Sequence, residues 1–233
     1  MKRYSGAAAL LLLLAGCLNS ADTTNTISLP FDMDLPDGVG EGWTAGVADV
    51  PETELLNVNL AGDLRVLPAP LPGREALYLA GTNVGGSIFM FQQRRFTGLL
   101  PNEQYEVELE VEFATNYHQG CTTGIGPATF LKAGVALIEP AAEPDGQGIL
   151  RMTIDKGTGT SAGDYALLGD IRNGASGCPT PGTYTIVNTT RRSQTLRLLT
   201  DAFGGFWLWV GIESTGAGRP EIYIGAIIVT LTR

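Results

Sequence analysis

The segment Ala114-Thr115-Asn116-Tyr117-His118-Gln119-Gly120-Cys121-Thr122-Thr123 brings together an amide, a phenol, the only imidazole of the chain and several hydroxyls. Such groups hydrogen-bond polar ligands, and loops held on a rigid scaffold are frequent binding sites. Asn116, Tyr117 and His118 are therefore candidate ligand contacts, with a solvated loop as the plain alternative. A second candidate set is Asp155-Lys156-Gly157, followed by Gly163-Asp164 and Gly169-Asp170. Asp155 and Lys156 could meet a ligand, although a carboxylate that ends a strand beside glycine also caps turns. Carboxylate catalysis needs two acids whose environments push their pKa values apart at a defined separation, which a sequence does not display. Nucleophilic hydrolysis is excluded more firmly. A triad generally uses a histidine base, His118 is the only one, and no Gly-x-Ser-x-Gly elbow or phosphate-cradling Gly-x-x-x-x-Gly-Lys-Ser/Thr run is present.

Two further groups invite chemistry. Trp207 and Trp209 lie two apart in Phe206-Trp207-Leu208-Trp209-Val210, so both indoles leave the same face of a strand and could form a stacking platform for sugar rings. A strand apolar on both faces is also what a covered, central strand looks like. Asp32, Asp34 and Asp37, with Gly38 and Glu41 nearby, gather carboxylates that could wrap a calcium ion. Their spacing does not match an EF-hand, and an acidic edge and turn is the alternative.

Strands carry these residues. Across residues 105–113, Tyr, Val, Leu, Val and Phe alternate with four glutamates, giving one core face and one wet face. Further strands are expected at 54–60, 75–80, 87–92, 130–138, 149–154, 184–188, 195–199, 206–212 and 221–231. Turn formers such as Pro101-Asn102, Pro144-Asp145-Gly146 and Pro181-Gly182 fall between them. No long stretch has helical periodicity, and 31 glycines with 13 prolines suit many short strands.

Met1-Lys2-Arg3 is a positive start, and residues 6–14 form an apolar run too brief to span a bilayer as a helix. With Leu14-Ala15-Gly16-Cys17 after it, the leader resembles the lipobox of bacterial lipoproteins. That resemblance implies cleavage before Cys17, a lipid on its thiol and acylation of the new amino group. Residues 1–16 would then be a signal peptide and 17–27 a lipidated cysteine with a polar, flexible tether reaching at most roughly 35 Å. Residues 28–233 would be one domain, long enough to bury a core. Leu18, where some enterobacterial lipoproteins carry the Asp that favours inner-membrane retention, points to the outer membrane of the cell envelope if the source has one.

Loss of Lys2 and Arg3 lowers the basic count from 15 to 13 against 24 acidic residues, a formal charge of −11. Nucleic acid is a poor partner for such a surface, whereas sugars and metal ions fit. With Cys17 assigned to lipid, Cys121 and Cys178 remain, and an even pair in an exported protein most simply forms a disulfide.

Gly98-Leu99-Leu100-Pro101-Asn102-Glu103-Gln104-Tyr105 resembles the turn into a central strand of fibronectin-like and carbohydrate-binding jelly-roll modules. Pro30-Phe31-Asp32-Met33-Asp34 followed by Gly42-Trp43 resembles the opening of galactose-binding-like modules, and residues 221–229 are similar to their last strand. That strand often carries Asp where this chain has Gly225, which counts against the family's structural calcium site. The resemblance implies an all-β, antiparallel β-sandwich of jelly-roll type and a noncatalytic domain that binds carbohydrate, with no organic cofactor. Two alternatives stand beside it: an envelope component that contacts another protein, and a carboxylate-dependent carbohydrate-active enzyme.

Overall fold

The alternation at 105–113 is realised in β7 (Gln104–Thr115), where Tyr105, Val107, Leu109, Val111 and Phe113 are buried and the glutamates point away from the core. The computed structural model describes residues 24–30, 42–157, 165–189 and 196–233. Within them the other strands are β1 (Thr24–Pro30), β2 (Thr44–Ala48), β3 (Val50–Pro51), β4 (Ala61–Val66), β5 (Glu75–Ala80), β6 (Ile88–Phe96) and β8 (Thr129–Ala136). They continue with β9 (Ala142–Pro144), β10 (Ile149–Met152), β11 (Ala166–Asp170), β12 (Thr185–Asn188), β13 (Leu196–Leu199), β14 (Phe206–Ser214) and β15 (Glu221–Thr232).

These strands form an antiparallel β-sandwich of jelly-roll type. One sheet runs β12-β7-β15-β5-β4, with β13 sharing the outer edge of β7 and β1 sharing the edge of β15 with β5. The facing sheet runs β11-β8-β14-β6-β2, and β3-β10-β9 form a small separate sheet that packs against its outer face. The main core is drawn from both large sheets: Leu109, Val111 and Ile227 on one side meet Leu131, Val210 and Ile212 on the other. Each such side chain fully buried contributes about 1.5–3 kcal/mol of transfer free energy.

β15 shows how an irregularity keeps this core continuous. Ile222 and Ile224 are buried, then Ile227, Val229 and Leu231, so the inward parity changes once. The register against β7 shifts between Ile224 and Ala226, as one extra residue in a strand requires. Gly225 sits at that bulge, where a Cβ would lie 2.7 Å from Glu112 Oε1 and 3.0 Å from Arg74 Nη2. The Arg74 guanidinium, ion-paired with Glu112, donates to the Gly225 carbonyl and so supplies a cation of the chain's own at this position.

Two expectations are corrected. Residues 54–60 do not form a strand: a 3-10 turn (Glu52–Glu54) leads into a single helical turn, α1 (Leu55–Val58), ended by Asn59 in the left-handed region at φ 49°. The spacing of Leu56, Val58 and Leu60 imitates a strand, yet Val58 is buried while Leu56 is 95% exposed. The sandwich also begins earlier than residue 28. Thr24–Ile27, expected to belong to the tether, pair with Val229–Thr232 in β1, because backbone ladder bonds to the edge of β15 hold a strand whose side chains are mostly polar.

Candidate functional site

β7 leads into the loop that carries Asn116, Tyr117 and His118, and the connection from β11 to β12 folds against it. Cys121 and Cys178 form the expected disulfide, 57 residues apart in sequence. Asn173 is buried at the centre: its side-chain amide donates to the Thr115 carbonyl (3.1 Å) and accepts from Ala175 N–H (3.0 Å). His118 is 7% exposed. Its Nε2 accepts from Thr183 N–H (3.0 Å), and its Nδ1 lies 3.3 Å from the Ser176 carbonyl, to which it donates in the tautomer that leaves Nε2 free to accept. With both nitrogens used in this way, His118 positions the loop. Tyr117 packs against the core with its hydroxyl donating to the Arg219 carbonyl (3.4 Å). Burial pushes its phenol up to about 12. Asn116 is half-buried at the start of the loop.

Beyond this latch, the open edges of the two large sheets leave a cleft of about 400 Å³. Gln119 lines it from the latch loop, Phe130 from β8, Asp170 from β11, Arg172 from the residues after it, and Asn188 from β12. Asp170 and Arg172 form a two-pronged pair, Nε to Oδ1 at 2.9 Å and Nη2 to Oδ2 at 2.9 Å. The remaining guanidinium nitrogen, Nη1, donates to the Cys121 (3.3 Å) and Gln119 (3.4 Å) carbonyls, so the disulfide loop fixes its orientation. The hydrogen bonds to Asp170 hold the guanidinium pKa above its ordinary value. The cleft is thus lined by a half-buried aromatic residue, a carboxylate, a guanidinium and two amide residues, at the lower end of the volume range of small-molecule sites.

The other expected site residues lie elsewhere. Trp209 is fully buried on the outer face of the β8-β14-β6 sheet, edge-on to Phe89 at 5.8 Å and clustered with Phe91 and Tyr165. Ala142 of β9, Met152 of β10 and Ile154 close over this cluster, and Gly134 lies flush beneath the indole. The pair of coplanar indoles is therefore corrected to one core tryptophan beside a half-buried Trp207.

Lys156 is likewise buried rather than presented to ligand. Its Nζ meets Asp49 Oδ2 at 2.7 Å and Glu213 Oε1 at 3.3 Å. Glu213 Oε2 takes Lys132 Nζ at 2.5 Å, and Lys132 also donates to the Lys156 carbonyl. Burial lowers the Lys132 pKa against the opposing pull of Glu213. Asp155 is exposed and accepts from Gly157 N–H at 2.8 Å, the turn-capping role, while lining a separate hollow with Arg197. Cys17, Asp32, Asp34 and Asp37 lie outside the described residues. Among the described residues, no group of three or more His, Cys, Asp or Glu side chains could hold a metal ion.

A second polar-aromatic surface covers the outer face of the β7-β15-β5 sheet. Tyr78 and Tyr223 are cross-strand partners with ring centroids 4.8 Å apart, and Tyr184 stands edge-on to Tyr223 at 5.6 Å. Tyr78 (2.7 Å) and Tyr184 both donate to Glu221. Burial, followed by that hydrogen bond, pushes both phenols well above their usual range.

Sequence reasoning singled out neither Phe130, Arg172 nor Asn188. The available signal was Asp170-Ile171-Arg172, opposite charges at a strand's same-face spacing around a buried isoleucine.

No protein-family model matches the chain, and no curated protein sequence matches it. Solved structures with detectable likeness include a carbohydrate-binding module with specific mannan recognition (13% identity, TM-score 0.43, 91% of this chain and 98% of that one). The K1 cleaved adhesin domain of Lys-gingipain from Porphyromonas gingivalis W83 is similar at 13% identity and TM-score 0.39, covering 88% and 97%. The enzymatically active domain of tailspike protein 4 from bacteriophage CBA120 is similar at 14% identity and TM-score 0.35. That match covers 81% of this chain, which spans only 19% of the tailspike chain.

Proposed function

We propose that this chain is a lipid-tethered, noncatalytic carbohydrate-binding protein of the bacterial cell envelope, and that saccharide occupies the cleft beside the Cys121–Cys178 loop. The observation that carries the reading is the composition of that cleft. Asp170, Arg172 and Gln119 offer the acceptors and donors that sugar hydroxyls require, while Phe130 and Asn188 stand on the rims of the two sheets that flank them. Among the described residues, Asp170 is the only carboxylate lining the cleft, and it is held by Arg172. Glycoside cleavage requires two acids at a set separation, whereas one carboxylate ion-paired with Arg172 suits the holding of hydroxyls.

The leader supports the tether. A basic start, an apolar run and Leu14-Ala15-Gly16-Cys17 make Cys17 the residue that would carry the lipid, with the outer membrane as its place in a cell that has one. A glycan array followed by calorimetry tests the binding reading. Saturable binding of a saccharide class, weakened at least about tenfold by Phe130→Ala and by Asn188→Ala, is expected from loss of a ring contact or an amide pair. No saccharide binding, or binding unchanged in both variants, would overturn it.

A further inference from the structure

The two large sheets end together where residues 97–103 join β6 to β7 and residues 200–205 join β13 to β14. Leu99 N–H donates to the Gly204 carbonyl (3.2 Å) and Asn102 N–H to that of Asp201 (3.0 Å), so the two loops support each other. β8 finishes at the same end, since Ala136 faces Trp207 near the start of β14. This end carries Leu100, Leu137, Ile138, Leu199 and Phe203, five of the nine large apolar side chains exposed among the described residues. Phe203 is 82% exposed, and it is held out by a fixed turn rather than by slack chain. Asp201 Oδ1 accepts from both Phe203 N–H and Gly205 N–H at 2.8 Å, and Arg95 pairs with the other oxygen. Leu137, Ile138 and Leu199 line one hollow with Arg197 and Asp155, while Leu100 lines another with Asn25 and Arg233.

The chain also enters the sandwich here, because Thr24 faces Thr232 at the last turn of the β15 ladder. Seven residue steps separate Cys17 from Thr24, at most about 25 Å of chain. A lipid on Cys17 therefore holds this apolar end near the bilayer. The cleft lies at the other end of β7, whose twelve residues span about 40 Å.

We propose that this end of the sandwich is seated on the bilayer that carries the Cys17 lipid, with Leu100, Leu137, Ile138, Leu199 and Phe203 in the interfacial layer and the cleft facing away from the membrane. The proposal rests on the lipid-tether reading. Apolar tips enter the boundary between headgroups and acyl chains, and the long stems of Arg197 and Arg233 let their charges stay at the headgroups. The occupant is a bilayer rather than a second copy because the tether brings this end, and not another, within reach of lipid.

The test uses lipidated protein purified from membranes and reconstituted in phosphatidylcholine vesicles, with a nitroxide at Phe203→Cys or Leu56→Cys. Leu56 is the control, since α1 is bonded through Val58 to Thr82 at the opposite end. Relaxation by a water-soluble nickel chelate is expected to be at least about fivefold weaker at position 203 than at position 56, as burial of the tip below the headgroups requires. Intact mass reports separately on the acyl groups. An acylated protein whose position 203 is as water-accessible as position 56 overturns the seating and leaves the tether standing. A mass without acyl groups overturns both. Lipid-free Cys17→Ala protein in buffer should expose position 203. Protection there would mean that another protein surface covers this end, which also overturns the proposal.

Discussion

Replacing Glu213 by glutamine probes the buried charges behind Trp209. Lys132 is fully buried and Glu213 nearly so, and this carboxylate serves both Lys132 (2.5 Å) and Lys156 (3.3 Å). Glu213→Gln keeps the shape and opens no cavity. It leaves Lys156 with Asp49, but it removes the carboxylate that Lys132 contacts at 2.5 Å. Stranding a buried charge costs about 3–5 kcal/mol. In a domain of this size that corresponds to a fall in Tm of roughly 6–20 °C. The double variant Lys132→Met/Glu213→Leu removes the pair together and should recover most of the loss, since a buried pair exchanged for well-packed apolar groups is often neutral or stabilising. Thermal and urea unfolding at neutral pH, with unchanged urea m-values, measure both. A Glu213→Gln protein within about 1 kcal/mol of wild type, or a double variant as unstable as the single one, would refute the reasoning.

Gly134→Ala would set a methyl 2.6 Å from the Trp209 ring, so calorimetry should show a loss of about 1–3 kcal/mol from overpacking and the tryptophan emission should change. Removing the disulfide as Cys121→Ser/Cys178→Ser should cost about 4 kcal/mol in the chain-entropy model, read as a lower urea midpoint. Tyr78, Tyr117, Tyr184 and Tyr223 all have raised pKa values. Their contribution to stability is complete below the unfolded phenol value of about 10 and is lost as pH climbs above it, because only the unfolded chain then gives up these protons. Alkaline difference absorbance should show these phenols ionising late and together with unfolding.

Much of the sandwich was legible because sheet periodicity is a local property. Residues 75–80 match β5, and the alternation through Val107, Leu109 and Val111 and the apolar run of β15 marked the paired central strands. β4 was not legible: Ala-Gly-Asp-Leu-Arg-Val at a sheet edge buries little, so it shows no inward parity. The disulfide followed from counting cysteines. The fates of Trp209 and Lys156 did not follow from sequence, because they depend on the β9 and β10 segments folding over the outer face of another sheet, a long-range event without a local pattern. The positioning role of His118 was not legible for a related reason. Its two partners, Ser176 and Thr183, arrive from a connection about sixty residues away. The cleft was half legible. The loop that holds Gln119 and the Gly169-Asp170 pair were singled out, while the wall at Arg172 and Asn188 exists only once β11 and β12 close the sheet edges.

The most direct measurement of the central claim is a heteronuclear NMR titration of the protein with the best saccharide from the array. Saturable shifts should cluster on Gln119, Phe130, Asp170, Arg172 and Asn188, sparing the apolar end around Leu100 and Phe203. Shifts that do not saturate, or that cluster away from the cleft while those five residues stay still, would contradict it.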